Sequence, residues 1–205
     1  MSISKVDEND TTLAGNPYKL DWLNPDINYF PGAGSREIGE PVTIADKLYK
    51  FIEPGSSGRK VTITIDNYGP PIHFDICNAF NFSYNFRVGQ GVLLADNPPG
   101  RKPIHLSFHP PVSALWTQVS AEGDVDTEYR GELDVTLANS QIFQVHSSVG
   151  TIQKAYGTAP TLGAQATDGQ NNGIAEAWID VVELSTQGVA SLFPQIAIND
   201  LYFLP

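Results

Sequence analysis

Helical periodicity is missing from this sequence: no stretch of a dozen residues repeats its apolar positions at the ~3.6-residue period of an α-helix. Short runs alternate apolar and polar residues at period two instead, with Gly, Pro and Asn in the gaps between them. Val61, Ile63 and Ile65 alternate with Thr62 and Thr64. Ile104, Leu106 and Phe108 alternate with His105, Ser107 and His109, and Leu133, Val135 and Leu137 with Asp134 and Thr136. Each run is a strand with one apolar face, and a chain of such strands buries those faces by packing one sheet on another. The expected fold is therefore all-β: a single antiparallel two-sheet β-sandwich of jelly-roll type.

The punctuation divides the chain further. Residues 1–16 are polar and read as a flexible N-terminal arm, and 17–205 as the sandwich domain. Within it, Tyr18–Gly39 is broken by Pro25, Pro31 and glycines into an irregular cover. Lys47–Ile52 and Lys60–Ile65 flank a loop of turn formers and read as a hairpin. Phe80–Phe86 alternates aromatic with small polar residues, as a strand whose aromatic face goes to the core or to a ligand. Pro110–Pro111 is expected to break a strand ending at Phe108, with Val112–Val119 resuming it. Leu133–Leu137 and Ile142–His146 make a second hairpin, Ala175–Glu183 is a strand, and Gln195–Phe203 reads as one continuous central strand.

Composition then excludes several classes of partner. The 205 residues are 41% apolar and 17% charged, enough to bury a substantial core. A formal net charge of −11 repels phosphate backbones and anionic lipid, so no nucleic-acid partner is expected. No apolar run approaches the roughly 18 residues of a membrane span, so no membrane insertion is expected either. The lone Cys77 has no partner for an intramolecular disulfide and no base beside it in sequence, and reads as an inert buried thiol. No secretory signal opens the chain, which fits a cytoplasmic protein or a trimmed form of a secreted or surface protein.

The order of these segments resembles a known family. Gly91–Leu94, then Ile104–Phe108 followed by Pro111–Ala114, the pair at Leu133–His146, Ile179–Val181 and finally Ile198–Phe203 are similar to galactose-binding-like jelly-roll domains of bacterial extracellular and surface proteins. The likeness covers about residues 90–205, and more loosely the chain from Val61. Ile196 stands where that family usually has an aromatic, and Asn199–Asp200 reverses its Asp–Asn order. The resemblance implies a non-catalytic domain that binds carbohydrate.

Sugar recognition needs flat apolar surface for pyranose C–H faces and planar polar groups for hydroxyls. The candidate ligand-binding residues on that basis are Asn67, Tyr68, Asp96, Asn97, Arg101, Tyr129 and Arg130, with Tyr84, Trp116 and Tyr156 as further aromatics. Calcium needs six to eight oxygens, and Asp66, Asn199 and Asp200 are the candidate ligands for a supporting Ca²⁺, with turn formation the competing role. His105 and His109 lie roughly 13 Å apart along a strand, too far to share a metal. Glu128, Glu132, Glu176 and Glu183 are carboxylates for a polysaccharide-acting enzyme, but no catalytic motif places two of them across a cleft. Carbohydrate binding thus leads, ahead of an assembly or surface protein acting through protein contacts, with a homo-oligomer open to it, and of an enzyme.

Overall fold

The computed structural model describes residues 3–6, 18–20, 22, 36–38, 42–43, 62–66, 72–78, 85–97, 102–153, 155–167, 172–184 and 193–204. Among the described residues fifteen strands run in chain order: β1 (Ile3–Lys5), β2 (Tyr18–Leu20), β3 (Arg36–Ile38), β4 (Val42–Thr43), β5 (Thr62–Asp66), β6 (Ile72–Asn78), β7 (Gly91–Asp96), β8 (Ile104–Val112), β9 (Ala114–Ala121), β10 (Glu128–Leu137), β11 (Ile142–Thr151), β12 (Thr161–Ala166), β13 (Ile174–Glu183), β14 (Gln195–Ile198) and β15 (Leu201–Leu204). The described residues contain no helix. One sheet has six strands in the order β11-β10-β13-β8-β5-β4. The other has nine, in the order β1-β12-β9-β14-β7-β6-β3, with β15 also on β9 and β2 on β15.

Every pairing is antiparallel, and alternation decides which side chains go inside. Leu133, Val135, Ile179, Val181, Ile104 and Leu106 of the six-stranded sheet form one buried cluster with Leu115, Val119, Leu162, Ile196, Ile198 and Phe203 of the nine-stranded sheet. Tyr129 ties the layers together, donating its hydroxyl from β10 to the Val119 carbonyl of β9 at 3.1 Å. A second cluster, Phe86, Val92, Leu94, Ala159 and Ala197, covers the opposite face of the nine-stranded sheet, because Val92 and Leu94 alternate with the core residues Leu93 and Ala95. The fold is the all-β, antiparallel β-sandwich that the alternation implies.

Three local expectations are corrected. Ile3–Lys5, assigned to a loose arm, pairs with β12, and Val6 behind it is buried. Strand β8 runs through Pro110–Pro111 to Val112. The prolines sit where the register with β13 jumps from Glu176↔Ser107 to Ile174↔Val112, so their missing N–H groups interrupt no ladder there. The final strand is split at Asn199–Asp200 into β14 and β15, both of which pair with β9. Ile198 faces Val119 and Tyr202 faces Trp116, four steps along the terminal chain against three along β9, which is a one-residue bulge. The expected strand at Lys47–Ile52, and Phe80–Tyr84 of the aromatic strand, lie outside the described residues.

Candidate functional site

The face of the six-stranded sheet turned away from the core is polar. Alternation that sends Leu133 and Ile179 inward sends Arg130, Glu132 and Asp134 of β10, and Glu176, Trp178 and Asp180 of β13, outward. The register lines these residues up across strands. Asp66, His105, Trp178, Asp134 and Gln144 occupy one row over five strands, which spans about 19 Å at the usual ~4.8 Å strand spacing. Asp180, Glu132 and His146 occupy the neighbouring row.

Trp178 stands at the middle of the first row, partly exposed, with its ring stacked on His105 at a centroid separation of 4.0 Å and an angle of 28°. Such a stack holds the indole in place. His105 is buried beneath it and has its Nε2 3.9 Å from the Glu176 carboxylate. Beside the indole, Lys102 Nζ donates to Asp134 Oδ2 at 2.5 Å, and Gln144 Nε2 donates to Asp134 Oδ1 at 3.0 Å. In the second row Arg130 Nη2 donates to Glu132 Oε1 at 3.2 Å, and His146 Nδ1 lies 3.7 Å from the same oxygen. The face therefore combines one aromatic plate with carboxylates, amides and fixed cations.

Asp180 is the most perturbed group on this face. It is buried, and burial pushes its carboxyl up to about 6. The Val181 N–H, donated to Asp180 Oδ1 at 2.7 Å, and the nearby Lys102 ammonium pull the other way, while Glu132 opposite it adds to the rise. The Asn97 amide lies close enough to favour the charged form. Asn97 follows β7 and is anchored by its own N–H, donated to the Pro194 carbonyl at 2.9 Å.

Of the residues expected from sequence to bind ligand, Arg130 comes to this face, Asn97 lies buried near Asp180, and the register brings Asp66 to its row. Asp96 lies at the end of β7, where Gln195 Nε2 donates to it at 3.4 Å. Asn67, Tyr68 and Arg101 lie outside the described residues. Tyr129 is corrected: its ring is wholly buried between the sheets, T-shaped against Phe193, and offers a ligand no surface. Asn199 is corrected as a metal ligand, because its side chain fastens the bulge. Its Oδ1 accepts from Gln118 N–H at 2.9 Å and Thr117 Oγ1 at 3.2 Å, and its Nδ2 donates to Gln118 Oε1 at 2.7 Å. Asp200 is buried in the nine-stranded sheet and Asp66 belongs to the six-stranded one, so the three calcium candidates do not converge. Among the described residues no three His, Cys, Asp or Glu side chains are grouped as a metal site. Trp116 stacks on Tyr202 at 5.6 Å and 9° in the other sheet, and Tyr156 is an exposed loop residue.

Sequence reasoning missed Trp178, Lys102, Asp134, Gln144 and Asp180 as site residues. The local signal was present, since Glu176, Trp178 and Asp180 alternate onto one face of a strand recognised as such. Their cross-strand partners, by contrast, are set by register alone.

No protein-family model and no curated protein matches this chain. Among solved structures it is similar to the CBM22-1–GH10 modules of Clostridium thermocellum endo-1,4-β-D-xylanase 10B complexed with xylohexaose. The identity is 7% and the TM-score 0.27, over 93% of this chain and 28% of that one. A likeness at that level says nothing of what this chain binds. No helix among the described residues is long and apolar enough to cross a membrane.

Proposed function

We propose that this protein is a non-catalytic carbohydrate-binding domain whose ligand lies across the outer face of the six-stranded sheet. The observation behind this reading is the partly exposed Trp178 set among the Lys102–Asp134 pair, Gln144, Arg130 and Glu132. An indole plate offers a surface for pyranose C–H groups, and bidentate carboxylates and amides beside it match sugar hydroxyls. Because these polar groups are already fastened to one another, little side-chain entropy is lost on binding. A glycan array followed by titration with cellohexaose, xylohexaose and mannohexaose tests it: binding is expected for at least one, and binding by none of the array or the titrants would refute it.

One observation favours a second reading, assembly through a copy of the same chain. Strand β11 is ten residues long, pairs only with β10 among the described residues, and exposes Ile142 and Val149. It contains no Pro, Lys, Arg, Asp or Glu, the residues that usually protect a sheet edge from pairing. Light scattering across concentration checks it: a dimer lost on Val149→Lys supports pairing through this edge, and a strict monomer removes it.

A further inference from the structure

Asn172–Gly173 is the one Asn–Gly pair in the sequence, and it stands at a bend where the chain enters β13. Asn172 is half-buried and Gly173 buried. Among the described residues neither the Asn172 side-chain amide nor the Gly173 N–H is taken up in a hydrogen bond. Glycine has no Cβ to crowd its nitrogen, so that nitrogen can close on the side-chain carbonyl carbon of the residue before it. Asparagines elsewhere are held or blocked. Asn139 and Asn199 have both ends of the amide hydrogen-bonded, Asn85 donates to the Thr151 carbonyl ahead of the bulky Phe86, and Asn97 precedes Pro98, which has no N–H. We propose that Asn172–Gly173 is a site of spontaneous modification, at which the asparagine is converted through a cyclic imide into aspartate and isoaspartate, and that the isoaspartate form loosens the start of β13. The inference is independent of what the polar face binds.

The Gly173 nitrogen attacks Asn172 Cγ. The N–Cγ bond forms, the Cγ–Nδ2 bond breaks, and ammonia leaves with the proton given up by the Gly173 N–H. Water then adds to one of the two imide carbonyls. Cleavage of the N–Cγ bond gives an aspartate with the ordinary backbone restored, and cleavage on the main-chain side carries the backbone through the side chain as isoaspartate. No atom is oxidised or reduced. Isoaspartate lengthens the main chain by one carbon, about 1.5 Å, immediately before Gly173. That residue has no slack: a Cβ on it would stand 2.8 Å from the Val112 carbonyl oxygen and 3.1 Å from Pro111 Cβ of β8. Its own carbonyl accepts from the Ala138 N–H at 2.9 Å, tying the entry of β13 to the turn after β10. Ile174, next in the chain, is wholly buried and pairs with Val112 and Leu137. Displacing Gly173 therefore disturbs a core contact, whereas the aspartate product adds only one charge at a half-buried position.

The test is to incubate the folded full chain for weeks in mildly alkaline buffer and map it by peptide mass spectrometry, with electron-transfer fragmentation separating isoaspartate from aspartate. The peptide containing Asn172 should convert ahead of every other asparagine-containing peptide, with isoaspartate the larger product, and Asn172→Gln should abolish conversion at this position. Thermal unfolding of the aged wild type should show a second, less stable population that grows with the isoaspartate fraction. That population should be missing from aged Asn172→Gln and from fresh Asn172→Asp. An Asn172 peptide that stays intact in the folded chain would overturn the inference, and its conversion in a guanidinium-unfolded control would show the fold to be what protects it. Isoaspartate at position 172 with no loss of stability would overturn the loosening of β13.

Discussion

Replacing Asn199 by Ala is the sharpest test of how the terminal strand is held. The extra residue at Asn199–Asp200 takes β14 and β15 out of step with β9, and the Asn199 side chain fills the gap in the ladder. Truncation leaves the Gln118 N–H without the acceptor that it has at 2.9 Å, in a region where Asn199 and Thr117 are buried. An orphaned buried donor costs about 1–3 kcal/mol, and the lost bond to Gln118 Oε1 adds about 1 kcal/mol. The expected loss is about 2–4 kcal/mol, which in a chain of this size lowers the thermal midpoint by about 5–15 °C. Asn199→Asp keeps the acceptor but buries a charge where the amide donated to Gln118, so it should also destabilise, and less so at low pH. Urea unfolding followed by tryptophan fluorescence measures both, with and without EDTA. A change in Asn199→Ala below about 0.5 kcal/mol would refute the clamp, and a loss that appears only in the presence of calcium would restore Asn199 as a metal ligand.

Asp180 makes stability depend on pH. Its carboxyl titrates near 6 in the folded chain against 3.8 when unperturbed, so between those values the unfolded state binds fewer protons and stability falls as pH rises. The loss is on the order of 3 kcal/mol and is complete a little above pH 6; Asp180→Asn should flatten that part of a denaturation-against-pH curve. Gly131→Ala should destabilise by about 1–3 kcal/mol, since the new methyl would stand 2.6 Å from Val119 Cγ2 and 3.1 Å from Leu162 Cδ2 across the sandwich. Urea midpoints check it, and an unchanged midpoint would contradict the close approach of the two sheets. Asp134→Ala, by contrast, removes a partly exposed ion pair with Lys102 and should cost about 1 kcal/mol of stability while weakening hexaose binding.

The sequence made the sandwich legible wherever alternation ran undisturbed. Leu133, Val135 and Leu137 against Asp134 and Thr136 announce β10, and the partner run from Ile142 follows after a short turn. Where a polar residue occurs inside an apolar run, the pattern has two meanings. Asn199–Asp200 reads as a strand position or a ligand, and only the register on β9 shows it to be a bulge. Pro110–Pro111 reads as a break, and only the jump in register against β13 shows why the strand passes through it. The site was half visible for the same reason. Trp178 between Glu176 and Asp180 is a local pattern, whereas Gln144, Asp134 and His105 join it through pairing between distant segments. Tyr129 shows the converse error, an aromatic beside Arg130 that alternation turns inward.

The most direct measurement of the central claim is a calorimetric comparison of wild type, Trp178→Ala and Trp116→Ala against whichever of cellohexaose, xylohexaose and mannohexaose binds. Trp116 serves as the control because it stacks on Tyr202 in the opposite sheet. Loss of the Trp178 plate should weaken binding at least tenfold, about 1.4 kcal/mol, with Trp116→Ala within about twofold of wild type. Undiminished affinity in Trp178→Ala, or a loss confined to Trp116→Ala, would place the ligand elsewhere and contradict the account.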